Sequence, residues 1–193
     1  VPTDIGEIGA TKWTFKKEAL WSVHGPVVRL NHGDYAFRYS GINGEIRQVE
    51  QWYKMNKSQT FEEWKDAVSM MSIPSLNCAY ADKAGNILYL YNALFPKRNP
   101  DYDWKGYLPG NTSKSLWTDY VDINELPMVV NPESGFIQNC NSSPFQTTIG
   151  TGNPDINDYP VSFGIETHLS NRALRALEIF GDDGEISASD FER

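Results

Sequence analysis

The chain has 193 residues, with 17 Lys and Arg against 25 Asp and Glu, a formal charge of −8 that argues against binding a phosphate backbone. At 40% hydrophobic and 22% charged it is a folded globular sequence, so disordered, collagen-like and low-complexity classes are excluded. Its unusual feature is aromatic content: six Trp, ten Tyr and nine Phe, a bias that suits pleated strands and leans the fold towards β.

In chain order, Trp13 to Phe15, Leu20 to Val23 and Val27 to Leu30 are short strand-like runs, broken at Lys16-Lys17 and at Gly25-Pro26. Tyr35-Ala36-Phe37-Arg38-Tyr39 continues the meander and puts three rings on one strand face. The period then changes. Thr60 and Glu63 have the spacing of a capping box, and Phe61, Trp64, Val68 and Met71 recur at helical steps, so residues 60–72 are expected to be a helix ended by Pro74. Asn77 to Asp82, the turn Lys83-Ala84-Gly85-Asn86 and Ile87 to Tyr91 form the best hairpin signal in the chain.

From Pro96 to Pro144 prolines interleave with Gly and Asn and periodic runs vanish. This reads as an ordered, irregular segment that wraps a surface, and such long loops are usually functional. Thr147 to Pro160 is the most loop-like stretch. Ser170 then caps a helix from Asn171 to Phe180, with Leu174 and Leu177 facing inward and Gly181 as its stop, and Ser187-Ala188-Ser189-Asp190 is a further capping signature.

No apolar run approaches the roughly 18–20 residues a membrane helix needs. Val1-Pro2-Thr3-Asp4 carries neither a basic region nor an apolar stretch, so no signal peptide is expected in it and the chain is expected to begin at a cut. Cys78 and Cys140 lack metal spacing and read as buried free thiols, with one disulfide as the alternative. His24, His32 and His168 also lack ligand spacing and are read as structural. Phosphate-loop, dinucleotide and Gly-x-Ser-x-Gly patterns are absent. Asp155 and Asp158 sit in a Gly/Asn-rich loop where Ca²⁺ is conceivable, but Asp and Asn belong in any turn.

The wrapping segment is more specific. Asn77 to Ile87, Pro96-Lys97-Arg98, Glu125-Leu126-Pro127, Asn131-Pro132 to Ile137 and Asn139-Cys140-Asn141-Ser142-Ser143-Pro144 form an ordered series, flanked by His24-Gly25-Pro26-Val27 and by Asn171-Arg172 with Arg175. The series resembles the catalytic β chain of the penicillin acylase family, the N-terminal-nucleophile amidohydrolases that include acyl-homoserine lactone acylases. The resemblance runs over roughly residues 21–193.

It implies an α+β chain that is an interior fragment of a four-layer αββα N-terminal-nucleophile fold. Residues 1–55 would form a β-rich insertion, and residues 56–193 part of the hydrolase core. The implied reaction is hydrolysis of a linear amide, a penicillin or an acyl-homoserine lactone-like N-acyl substrate, by a Ser, Cys or Thr whose own α-amine is the base. The implied site residues are Asn141, whose side-chain amide is one oxyanion donor, and Arg172, which supports that site. Val1 cannot be the nucleophile, so the chain alone is expected to be inactive, and Cys140 stands where the family usually has Trp. The implied partners are the remaining α- and β-chain segments of the parent and a small N-acyl substrate, with no nucleic acid and no membrane. No cofactor is required, the metal position is left open apart from a structural Ca²⁺ in the parent, and the implied location is periplasmic or secreted. The competing reading is a non-catalytic, aromatic-rich β module that binds a small molecule or a protein through its Trp and Tyr faces.

Overall fold

A computed structural model describes residues 16–42, 47–182, 187 and 189. The expected strand at Trp13 to Phe15 and most of the capping signature at 187–190 lie outside the described residues. Chain contacts divide the protein into two compact units, Val1–Tyr39 and Ser40–Arg193. The described elements are mixed α and β: two three-stranded antiparallel sheets, three α-helices and several short 3₁₀ turns.

The first unit is a meander of β1 (Leu20–Ser22), β2 (Gly25–Leu30) and β3 (Gly33–Ala36). Gly25-Pro26 is not a break but the start of β2. Ser22 pairs with Gly25 across a two-residue turn, Val23-His24, and the Ser22 hydroxyl accepts the His24 N–H at 3.1 Å. Arg29 opposes Asp34 across β2 and β3 and donates to both carboxylate oxygens, at 2.9 and 3.1 Å. The three-ring strand face does not form. β3 ends at Ala36, one last bond runs from Phe37 N–H to the Pro26 carbonyl, and Phe37 and Tyr39 lie exposed beyond the ladder.

The second unit opens with α1 (Gln48–Lys57), a helix the periodicity does not announce. No side chain caps its first turn, and its large apolar residues Val49, Trp52 and Tyr53 are exposed while Gln51 and Met55 are buried. The apolar stripe and the buried face therefore do not coincide. Helix α2 (Phe61–Val68) is shorter than the expected 60–72. Thr60 caps it by accepting the Glu63 N–H at 3.2 Å, but the Glu63 carboxylate reaches Gln59 N–H, at 2.7 Å, rather than Thr60. The helix ends well before Pro74 because the wholly buried Gln51 draws the following backbone away from helical bonding. Its Oε1 accepts Ser72 and Ile73 N–H at 2.7 and 2.9 Å, and its Nε2 donates to the Val68 carbonyl at 3.0 Å. Gly41 approaches this corner so closely that a Cβ there would lie 2.8 Å from Pro74 Cγ, and its φ of +84° independently requires glycine.

The expected hairpin is present as β4 (Ser75–Ala81) and β5 (Ile87–Ala93), and β6 (Met128–Val130), inside the stretch read as irregular, adds a third strand along β5. Asp82 seals the turn by accepting Ala84 N–H, Asn86 N–H and the Asn86 side-chain amide at 2.8–2.9 Å, and these donors, Asn86 foremost, hold its carboxyl below the ordinary range. Strand alternation separates the two faces of the hairpin. Cys78, Leu88 and Leu90 enter the core with Met55, Trp64, Ala67, Val68, Ile73 and Phe95, and each large apolar side chain buried there contributes about 1.5–3 kcal/mol. Asn77, Ala79 and Tyr89 point the other way.

Helix α3 (Asn171–Asp182) starts where expected, with Ser170 Oγ accepting Ala173 N–H at 3.3 Å. Its faces differ from the expectation. Ala173 is fully buried and Leu174 exposed, and Gly181 lies within the helix, where a Cβ would meet Ile149 Cγ2 at 3.4 Å. Small residues sit where the chain comes close. No helix among the described residues is long and apolar enough to cross a membrane.

Candidate functional site

The segment from Asn131 to Thr148 is held by side chains acting as backbone surrogates. Asn131, at φ +45°, closes back on the hairpin: its N–H reaches the Ile87 carbonyl at 2.9 Å and its Oδ1 accepts Ile87 N–H at 2.8 Å. Asn153 Oδ1 accepts both Thr147 and Thr148 N–H, at 2.8 and 3.1 Å, while Gln138 N–H reaches the Thr147 carbonyl at 2.8 Å. The Ser134 and Thr148 hydroxyls also bond to each other. Ser143 N–H reaches the His168 carbonyl at 3.1 Å, tying the turn to the approach of α3.

Within this frame Asn139-Cys140-Asn141 makes an Asx turn, in which Asn139 Oδ1 accepts Asn141 N–H at 3.0 Å. Arg172, from the first turn of α3, donates through Nη2 to the Cys140 carbonyl at 3.0 Å. Cys140 C=O and Asn141 N–H belong to one peptide plane, so that plane is gripped from both sides. Asn141 itself is left-handed, φ +53°, a conformation Asn accepts more readily than other side chains. Its amide is exposed and makes no hydrogen bond among the described residues. A clamped backbone carrying a free, neutral amide donor is what stabilisation of a developing oxyanion needs.

The structure thus brings Asn141 and Arg172 together through the backbone. Two further residues join them that the sequence reading left without a role. Asn77 Nδ2 donates to Asn139 Oδ1 at 3.1 Å, and the Tyr89 hydroxyl donates to Asn77 Oδ1 at 3.3 Å. The signal was the presence of both Asn77 and Asn139 in the same ordered series of motifs; their pairing across 62 positions could not be read. Tyr89 is buried, which pushes its hydroxyl well above the ordinary tyrosine range and keeps it a neutral donor.

Other flagged residues are elsewhere. Arg98 donates Nη1 to the Ser162 carbonyl at 2.7 Å and lies over the Trp104 and Trp117 rings at 5.5 and 5.2 Å, a clamp on the wrapping segment. Arg175 pairs with Glu178 at 2.8 Å on the outside of α3. Asp155 Oδ1 caps a 3₁₀ turn, accepting Asn157 N–H and its side-chain amide at 2.9 and 2.8 Å, the turn role the sequence also allowed for it. Among the described residues no group of three or more His, Cys, Asp or Glu is placed to hold a metal. Both cysteines are free thiols, and Cys140, unlike Cys78, is only half-buried. A cleft lined by Trp64, Val68, Leu88, Leu90, Ile123 and Met128 offers about 30 Å³, room for a water rather than an acyl chain, and it opens on the core face of the hairpin, opposite Asn77.

Comparison with known proteins bears on what this turn is. The family model described as penicillin amidase matches residues 7–193. Penicillin G acylase of Escherichia coli is 30% identical over 129 residues, which is 65% of this chain and 15% of that protein. A solved structure of the thermostable penicillin G acylase from Alcaligenes faecalis superposes with a TM-score of 0.69 at 24% identity, over 89% of this chain and 30% of that one. The chain spans only this minor share of the relatives it matches, and with the solved structure it shares the fold.

Proposed function

The chain belongs to the penicillin amidase family, and from that premise we propose that it is part of an amidohydrolase acting on a linear N-acyl amide, with Asn141 as one donor of its oxyanion hole. The observation that carries the assignment is the doubly held Cys140–Asn141 peptide, which presents an unpaired side-chain amide at a fixed position. In this reading the nucleophile is a Ser, Cys or Thr at an N-terminus exposed by self-cleavage on another segment of the parent, and these 193 residues do not hydrolyse amides alone. The parent takes the four-layer αββα architecture, is exported to the periplasm or beyond, and accepts penicillin-like or acyl-homoserine lactone-like substrates.

The chemistry follows from charge development. The nucleophile forms a bond to the acyl carbon, and the carbonyl π pair moves onto oxygen. The amide N–H of Asn141 donates to that oxyanion, while the nucleophile's proton passes to its α-amine. Collapse breaks the C–N bond and the ammonium returns the proton to the departing amine; water, deprotonated by the same α-amine, then attacks the acyl-enzyme, and collapse releases the carboxylic acid while the proton returns to the nucleophile. Arg172 acts on the backbone: its bond to the Cys140 carbonyl holds the peptide that carries Asn141. Asn141→Ala in the full-length enzyme is expected to lower turnover by on the order of 10²–10³. Turnover within a few-fold of wild type would remove Asn141 from the oxyanion hole.

A further inference from the structure

The relay on the outer face of the hairpin has one internally consistent direction. Asn141 N–H must donate, so Asn139 presents its oxygen; that oxygen, accepting twice, takes its second donor from the amide nitrogen of Asn77; and the remaining Asn77 oxygen takes its donor from the Tyr89 hydroxyl. Every orientation along the chain is fixed by the one before it. The relay begins on Tyr89, 1% exposed in the middle of β5, whose neighbours on both sides are paired in register, Ala79 on β4 and Val129 on β6. It ends on an exposed turn whose last residue, Asn141, is left-handed. A strand paired on both sides thus reaches an Asx turn through the side-chain amides of Asn77 and Asn139.

We infer that Asn77 is a positioning residue for the amidase reaction: by donating to Asn139 Oδ1 it aligns the Asn139–Asn141 turn on the β4–β5 hairpin and so sets where the Asn141 amide points. The inference rests on the oxyanion role of Asn141 proposed above. Arg172 holds the carbonyl side of the same peptide, so loss of Asn77 releases one of two grips rather than unfolding the site. Its half-buried place on the strand keeps it off the core that Cys78, Leu88 and Leu90 fill from the other face.

The test uses the full-length processed enzyme with a chromogenic N-acyl anilide as the probe, and measures kcat and KM for Asn77→Ala, Asn141→Ala and the double variant. Asn77→Ala is expected to lower kcat roughly 5- to 30-fold with KM within about twofold, as for the loss of one or two hydrogen bonds felt in the transition state. In the double variant the Asn77 change is expected to cost nothing beyond Asn141→Ala, because a residue that acts only through another has no effect once that other is gone. Equal losses in both backgrounds, or a full kcat in Asn77→Ala, overturn the positioning role. If Asn141→Ala itself keeps wild-type turnover, it is the oxyanion assignment that fails, and the positioning role falls with it.

Asn77→Asp decides the matter should the alanine variant fold poorly. Its carboxylate faces Asn139 Oδ1 with no proton to donate, so kcat relative to wild type is expected to be low near pH 7 and to rise as the pH falls towards 4 and the Asp side chain gains a proton. A ratio to wild type that is flat with pH counts against the relay.

Discussion

Gln51 offers the sharpest test of how the second unit is held together. Replacing it with Met keeps the volume and removes three hydrogen bonds, to Ser72 N–H, Ile73 N–H and the Val68 carbonyl. The three losses are unequal. The Val68 carbonyl still accepts Met71 N–H at 3.2 Å, so it stays satisfied. Ser72 is half-buried and recruits water, at about 1 kcal/mol, whereas Ile73 is buried and its orphaned N–H costs about 2–3 kcal/mol. The sum is about 3–4 kcal/mol, a large part of the roughly 5–15 kcal/mol typical of a domain. With a urea m-value of about 2 kcal/mol/M, the midpoint of equilibrium unfolding should fall by about 1.5–2 M. Gln51→Glu adds a sign. A carboxyl in this fully buried place titrates above its unfolded value of about 4.3, so the variant should be most stable below that pH and lose stability as the pH rises. A Met variant whose midpoint moves by less than about 0.3 M, with an unchanged m-value, would refute the argument that these bonds end α2 and carry the corner.

Three more outcomes are expected. Thr60→Ala removes the side-chain acceptor of Glu63 N–H and should destabilise the protein by about 1 kcal/mol, read as a urea-midpoint shift near 0.5 M. Cys78 is 4% exposed and burial pushes its thiol up to about 11, so iodoacetamide at pH 8 should modify Cys140 first and Cys78 only after denaturation, as peptide mass mapping would reveal; equal native labelling would contradict the core placement. Glu50 is held at about 2 by Arg47 and then Lys54, so its contribution is present above the unfolded carboxyl value near 4.3 and lost as the pH falls through about 2. Unfolding midpoints of Glu50→Gln should show less acid sensitivity in that window than the parent chain, by a small, salt-screened margin, because the groups are exposed.

What was legible in the sequence had local causes. The β4–β5 hairpin announces itself because Asp82, Gly85 and Asn86 sit four residues or fewer apart and make the turn among themselves. The start of α2 is legible for the same reason, since Thr60 and Glu63 are one turn apart. What was not legible depends on distant partners. Helix α1 has Val49, Trp52 and Tyr53 outside and a glutamine buried beside Met55, and that glutamine ends α2 some 20 positions further on. Strand β6 is three residues long and becomes a strand only because β5 offers it an edge.

The candidate site divides along the same line, and the division explains its design. Asn141 and Arg172 lie in motif segments that can be picked out of the sequence, yet nothing in either motif reveals how the two meet. What joins them is the plane of one peptide, with Arg172 on its carbonyl from 32 positions away and Asn139 on its N–H from two. Asn139 is fixed in turn by Asn77, 62 positions back on the β4–β5 strand pair. Ser142, Ser143 and Pro144 are buried, but the Asn139 and Asn141 side chains are exposed, so their orientation has to come from hydrogen bonds to better-packed elements. Here two structures supply it by separate routes, the hairpin through Asn77 and helix α3 through Arg172. Removing both grips should therefore cost more in kcat than the product of the single losses, because each single variant still keeps the peptide held on one side. Measured as Asn77→Ala and Arg172→Ala, singly and together, a strictly multiplicative loss would mean that the two residues support turnover independently and that the shared peptide is not their point of coupling.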